Sequence, residues 1–140
     1  MVDDRILATP DLLDGKLNLV NALPVAGFLT RPDDEGRDYN TDYTRCGKIT
    51  VKAGDRDRVL SILKEGISSI SSIPEIRSFL VFQPLDEVDS VYIWERSASP
   101  TAFSEIEENN SYSKVMNEMK SFIDAAEVTA YRVAGGYLSK

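Results

Sequence analysis

Two neighbouring stretches, Ile76–Pro84 (IRSFLVFQP) and Val88–Trp94 (VDSVYIW), decide the fold. Both are apolar at odd and even positions alike. Phe79 and Val81 alternate with Leu80 and Phe82, and Tyr92 and Trp94 alternate with Val91 and Ile93. Successive side chains of an extended strand point to opposite faces, so these strands must be covered on both. The chain's own helices can cover one face. The other needs a second sheet, and 140 residues are too few to make one comfortably. The expectation is a symmetric dimer with sheet packed on sheet. The turn Leu85-Asp86-Glu87 makes the two strands a hairpin.

Upstream, Arg45 to Lys52 alternates, with Ile49 and Val51 on one side and Lys48, Thr50 and Lys52 on the other. This is a half-buried strand. After the turn Ala53-Gly54-Asp55, with Asp55 or a neighbour as cap, Val59, Leu60, Leu63, Ile67 and Ile70 form one face of a helix from Arg56 to about Ser71. Downstream, Ser99-Pro100 starts a short helix carrying Ala102, Phe103 and Ile106. Asn110 or Ser111 starts another, with Tyr112, Val115, Met116, Met119, Phe122 and Ile123 in register. Glu127 to Ala134 alternates as a last strand, and Gly135-Gly136 loosens the chain after it. The order from Arg45 to Tyr137 is strand–helix–strand–strand–helix–helix–strand, an α+β domain with Trp94 near its centre.

The first 42 residues read as an N-terminal extension and acidic linker, and residues 43–140 as the domain. Asp11 can cap a short helix carrying Leu12, Leu13, Leu17, Val20 and Leu23, weakened by Gly15 and ended by Pro24; Val25 to Thr30 can form a short strand. The apolar residues of 11–30 need burial, so this segment is expected to pack on the domain, covering its pocket or extending the dimer. Asp33 to Asp42 reads as a solvated loop.

Net charge is −7 with the acids spread along the chain. Such a surface repels phosphate backbones and anionic lipid, so neither nucleic acid nor a membrane is an expected partner. No run reaches the roughly 18 apolar residues of a membrane span. One cysteine, Cys46, permits no intramolecular disulfide, and no secretory signal is visible, so a cytoplasmic location is expected. Histidine is absent altogether. This removes the commonest general base, the usual haem ligand and the commonest zinc ligand, and excludes Ser-His-Asp and Cys-His devices. No metal site is expected.

The second strand of the hairpin and the two helices after it, VYIWERSASPTAFSEIEENNSYSKVMNEM (Val91–Met119), resemble the antibiotic-biosynthesis-monooxygenase domain. The matching positions are Tyr92, Trp94, Glu95, Arg96, Ser99-Pro100, Phe103 and Asn110-Ser111, and the likeness covers about residues 45–137. It implies a ferredoxin-like four-stranded antiparallel sheet with helices on one face, closed by a second copy into a dimeric α/β barrel. Each subunit would hold a pocket between sheet and helices. The implied activity is cofactor-independent monooxygenation of an aromatic or polyketide-like small molecule: a phenol, anthrone or quinol. A polyketide cyclase, isomerase or decarboxylase, or a non-catalytic dimeric ligand-binding module, can be built on the same fold. Haem degradation, which in the family uses a histidine ligand, is disfavoured.

The resemblance implies Trp94, Tyr92, Asn110 and Tyr112 as catalytic candidates. Trp94 either lines the pocket or packs a helix against the sheet. Tyr92, Tyr112 and Tyr131 sit on elements expected to converge on one pocket. Asn110 either approaches that pocket or belongs to a cap-and-turn pair with Asn109. Arg77, Phe79, Phe103, Met116 and Tyr131 are the expected substrate contacts, Arg77 and Arg132 being able to hold a carboxylate or phenolate. Glu95 and Arg96 read as a solvated pair at a strand end. Without histidine, the base of such a reaction is a carboxylate, a tyrosine or water.

Overall fold

The computed structural model describes residues 21–34 and 42–132. Most of the helix expected from Asp11, and the glycine pair Gly135-Gly136, lie outside the described residues. Leu23 and Pro24, expected at the end of that helix, are instead in a strand, Ala22–Phe28, because they pair with Gln83 and Phe82. That strand begins before and ends short of the expected Val25–Thr30.

The elements are β1 (Ala22–Phe28), β2 (Tyr43–Val51), α1 (Arg56–Ser71), β3 (Ile76–Pro84), β4 (Ser90–Ser97), α2 (Pro100–Glu108), α3 (Asn110–Met119) and β5 (Ile123–Arg132). One-turn 3-10 helices at Pro32–Asp34 and Lys120–Phe122 follow β1 and α3. All strand pairs are antiparallel, in the order β1-β3-β4-β2-β5. The four expected strands form the middle and one edge. The extension adds a fifth, β1, on the free edge of β3, so the sheet has five strands rather than four.

Local chemistry accounts for the helix starts. Ser99 caps α2 by accepting a hydrogen bond from the Ala102 amide, with Pro100 behind it. Asn109 caps α3 through its side-chain oxygen, which accepts from the Ser111 and Tyr112 amides. Asp55 stands at the cap position of α1 without a side-chain bond. Two ends differ from the sequence reading. Helix α3 stops at Met119, and β5 begins at Ile123, four residues before the expected Glu127. The Asp124-Ala125-Ala126 run does not favour a strand by propensity, but pairing of β5 with β2 as far as Ile123↔Val51 satisfies its backbone and overrides that. Strand β4 likewise runs on through Glu95, Arg96 and Ser97.

The core lies between one sheet face and the helices. Phe79, Val81, Val91 and Ile93 of the sheet meet Val59, Leu63 and Ile70 of α1 and Tyr112, Val115 and Met119 of α3. Gly66 allows α1 and α3 their close approach: a Cβ there would lie 2.7 Å from Val115 Cγ2. Gly27 does the same for β1, with φ +124° and no room for a Cβ against the Phe79 carbonyl. Val25 and Phe28 pack against the core, so β1 extends the sheet, on the edge opposite β5.

On the opposite face Leu80, Phe82, Tyr92 and Trp94 form two cross-strand rows, Leu80–Trp94–Cys46 and Phe82–Tyr92–Lys48. All four apolar and aromatic side chains are half-buried.

One end of this face is sealed by the acidic segment. Asp34 and Asp42 are 1% and 0% exposed. Arg96, at 1%, donates to Asp42 at 2.5 Å, to Asp34 at 2.8 Å and to Ser78 Oγ at 2.9 Å. Arg77 binds Asp33 and Asp34. Arg31 stacks on Phe28 and donates to the carbonyls of Ser71, Ile73 and Ile76. Burial opposes the charge of Asp34, but the Arg31 amide and the Arg77 and Arg96 guanidiniums outweigh it and hold the carboxyl well below the usual carboxylate range. The expected solvated loop is therefore wrong at Asp34 and Asp42. Arg96 is wrong as a solvated residue too, because buried carboxylates reach it from a distance in sequence that periodicity does not register.

Candidate active site

On the helix face a cavity of about 630 Å³ opens between β2, β4, β5 and α3. Its floor follows β2 from Arg45 through Gly47 to Ile49, with Ile93 beside it; Met116 and Met119 of α3 wall it, and Val128 and Ala126 of β5 line it. That size suits a small organic ligand.

Polar groups gather where β2 begins. Arg45 and Glu95 are directly opposed across β2 and β4. Arg45 Nε donates to Glu95 Oε2 at 2.5 Å, NH1 to Glu107 Oε1 at 2.6 Å and NH2 to the Tyr112 hydroxyl at 3.0 Å. The Tyr112 hydroxyl in turn donates to Glu95 Oε1 at 2.6 Å. The Arg45 guanidinium sits 4.5 Å over the Phe103 ring, which fixes its plane from α2. Glu95 is 3% exposed, so the expected solvated pair is corrected at this residue as well. Side chains at 95 and 96 point to opposite faces, and each is buried among other partners.

The protonation states follow from these contacts. Burial, then the Glu95 carboxylate, push the Tyr112 phenol well above its ordinary value, so it stays a hydrogen-bond donor. Burial works against the charge of Arg45, but Glu95, Tyr112 and Glu107 outweigh it and keep the guanidinium cationic. The cluster thus combines a fixed cation, a buried carboxylate and a neutral phenol at one end of a cavity with an apolar floor.

The sequence candidates divide between the two faces. Tyr112 and Met116 line the cavity, and Phe103 supports it. Phe79 is buried in the core. Tyr92 and Trp94 lie on the other face, where with Ala22, Cys46 and Phe82 they line a shallower hollow of about 390 Å³. Tyr131 is 52% exposed and pairs with Thr44 in register with that second face. The three tyrosines therefore do not converge. Asn110 is the exposed first residue of α3, with Asn109 as its cap. Arg77 is held by Asp33 and Asp34. Burial pushes the Cys46 thiol up.

Sequence reading missed Arg45, Glu95 and Glu107. A signal existed for the first two: Arg45 shares parity with Ile49 and Val51, and Glu95 with Val91 and Ile93, so each is a charge on an apolar face. Among the described residues no group of three or more Asp, Glu, Cys or His could hold a metal ion, and no helix is long and apolar enough to cross a membrane.

No family model matches the chain, and no curated protein matches it. Solved structures do. A candidate monooxygenase from Lactobacillus acidophilus is 16% identical with a TM-score of 0.72, over 91% of this chain and 58% of its own length. This chain thus spans less than two thirds of that relative. A candidate antibiotic biosynthesis monooxygenase from Chloroflexus aurantiacus is 28% identical with a TM-score of 0.61, over 69% of this chain and 96% of its own. SnoaB, a cofactor-independent oxygenase from Streptomyces nogalater, is 10% identical with a TM-score of 0.60, over 69% and 96%. With these neighbours, and with its α+β order and antiparallel sheet, the chain has the antibiotic-biosynthesis-monooxygenase-like fold.

Proposed function

We propose that this chain is a cofactor-independent monooxygenase of an aromatic or polyketide-like phenol, anthrone or quinol bound in the cavity beneath α3. The observation that carries the reading is the Arg45–Glu95–Tyr112 cluster at one end of a cavity whose floor is apolar and whose lining also carries Lys48, Asn117, Lys120, Asp124 and Glu127. The similarity to SnoaB supports it.

The substrate lies along β2 with its acidic C–H or O–H toward the cluster. Its proton passes to the Glu95 carboxylate, and the resulting anion stays beside Arg45. Negative charge moves a few ångströms while the guanidinium remains at its side, so the net charge of the site is unchanged. The electron-rich anion then reduces dioxygen. For an anthrone the balance is anthrone plus O2 giving anthraquinone plus water: the substrate supplies all the electrons, one oxygen atom enters the ring carbon, and the other leaves as water. The protein desolvates, orients and stabilises the anion.

Oxygen uptake with an anthrone in metal-free buffer tests this. The expected result is one O2 consumed per anthrone. Absence of uptake across a panel of anthrones, quinols and phenols sinks it. Turnover without uptake would move the chain to the cyclase, isomerase or decarboxylase class, which the same acid–base cluster also suits.

The reading includes a homodimer in which the Leu80, Phe82, Tyr92 and Trp94 face is covered by its equivalent in a second copy. Trp94→Glu places a charge in that interface. The variant is expected to sediment as a monomer where the parent sediments as a dimer, and a monomeric parent would remove the dimer from the proposal.

A further inference from the structure

The three donor nitrogens of Arg45 are not equivalent. Nε and NH2 are committed to Glu95 and Tyr112, both buried. NH1 is held by Glu107, whose side chain is 60% exposed near the end of α2 and lines the cavity. An ion pair with one partner in water is weakly held, because solvent screens it and competes for it. The rest of the guanidinium is fixed by Phe103 below it and by its two buried partners. Releasing Glu107 would therefore free one preoriented N–H facing the cavity and leave the cation in place.

We infer that Glu107 is a displaceable stand-in for a ligand oxyanion: an aromatic carboxylate or phenolate takes the Arg45 NH1 donor as Glu107 turns out to solvent. This rests on the cavity assigned above as the binding site, and it names a selectivity residue for that site. With Glu107 engaged, Arg45 already faces two carboxylates, and their charge opposes a third anion beside it. An uncharged ring can bind along the apolar floor without meeting that opposition. Glu107 thus sets how far the site discriminates between anionic and neutral ligands of the same size.

Two fluorescent naphthalenes with the same ring and hydroxyl test this by titration at pH 7.5: 1-naphthol as the neutral probe and 1-hydroxy-2-naphthoate as the anionic one. Glu107→Gln keeps the shape and removes the charge. The expected result is about tenfold tighter binding of the naphthoate, the scale for removing one like charge at a partly exposed site, with naphthol within about twofold of the parent. Glu107→Ala should move the naphthoate in the same direction. Adding Arg45→Gln to Glu107→Gln should abolish the gain. An unchanged naphthoate-to-naphthol ratio, or equal tightening of both probes, overturns the inference. If naphthol binds but the ratio does not move, only the role of Glu107 falls. If neither probe binds any of the proteins, the aromatic reading of the cavity falls with it.

Discussion

Glu95 and Arg96 are neighbours on one strand, yet they belong to two clusters of the same chemistry with opposite fates. On one face Arg96 is closed in by Asp34, Asp42 and Ser78, all buried. On the other, Glu95 and Arg45 border a cavity, and one of their partners, Glu107, stands in water. A guanidinium sealed among buried partners holds the chain together: it pins the acidic extension across the end of the sheet. A guanidinium with one replaceable partner beside a cavity can trade that partner for a ligand. What separates structure from chemistry here is access, since charge and partner type are alike in both.

The largest expected effect breaks the sealed cluster. Arg96→Met takes a buried guanidinium from Asp34 and Asp42, with Arg77 and the Arg31 amide still on Asp34, and removing one partner of a buried ion pair costs about 3–5 kcal/mol. Urea unfolding of the variant should show that loss. A loss below about 1 kcal/mol would mean that the two carboxylates are held without Arg96, and the contrast would fail. Arg45→Gln should cost less, about 1–3 kcal/mol, because water entering through the cavity can solvate Glu95. It should also remove oxygen uptake and weaken naphthoate binding, with naphthol little changed. If Arg45→Gln destabilises as strongly as Arg96→Met, the two clusters are one kind of thing.

The two clusters were unequally legible. The hairpin, the helices and the antibiotic-biosynthesis-monooxygenase-like fold follow from local patterns: two-sided apolar strands, a Ser-Pro start, an apolar helix face. Arg45 and Glu95 were visible in principle, each a charge on an otherwise apolar strand face, but naming them a pair requires the β2–β4 register, which alternation alone does not supply. The Asp34–Arg96–Asp42 network lay beyond reach. Its members are separated by 54 and 62 residues, and a run rich in Asp looks solvated whether or not two of its carboxylates turn inward. Trp94 shows the converse. Its strand is plain from the sequence, but the face it occupies depends on where the helices pack.

A smaller effect probes the sealed side by pH. The folded value of Asp34 is depressed, so its contribution is fully present above the unfolded aspartate value of about 3.9 and is lost as pH falls toward the folded value. Asp34→Asn should therefore be less stable than the parent at pH 7 and should lose less than the parent between pH 4 and pH 2.5. Parallel acid limbs for the two proteins would mean that Asp34 is not held by its guanidiniums.

The smallest effect is on the open side and has the opposite sign in pH. Tyr112→Phe removes one hydroxyl that donates to Glu95 and accepts from Arg45, at a cost of about 1 kcal/mol at pH 7. The folded phenol value is raised, so the stability it brings is fully present below the unfolded tyrosine value of about 10 and is lost as pH climbs from there toward the folded value. Above pH 10 the unfolded parent gains stability by ionising, while the folded parent cannot do so at position 112. Phenylalanine has nothing to ionise in either state. The difference between parent and variant should therefore shrink from pH 7 to pH 11. A constant difference across that range would mean that the Tyr112 hydroxyl already meets water through the cavity, and the open cluster would then be more open than its buried phenol and carboxylate imply.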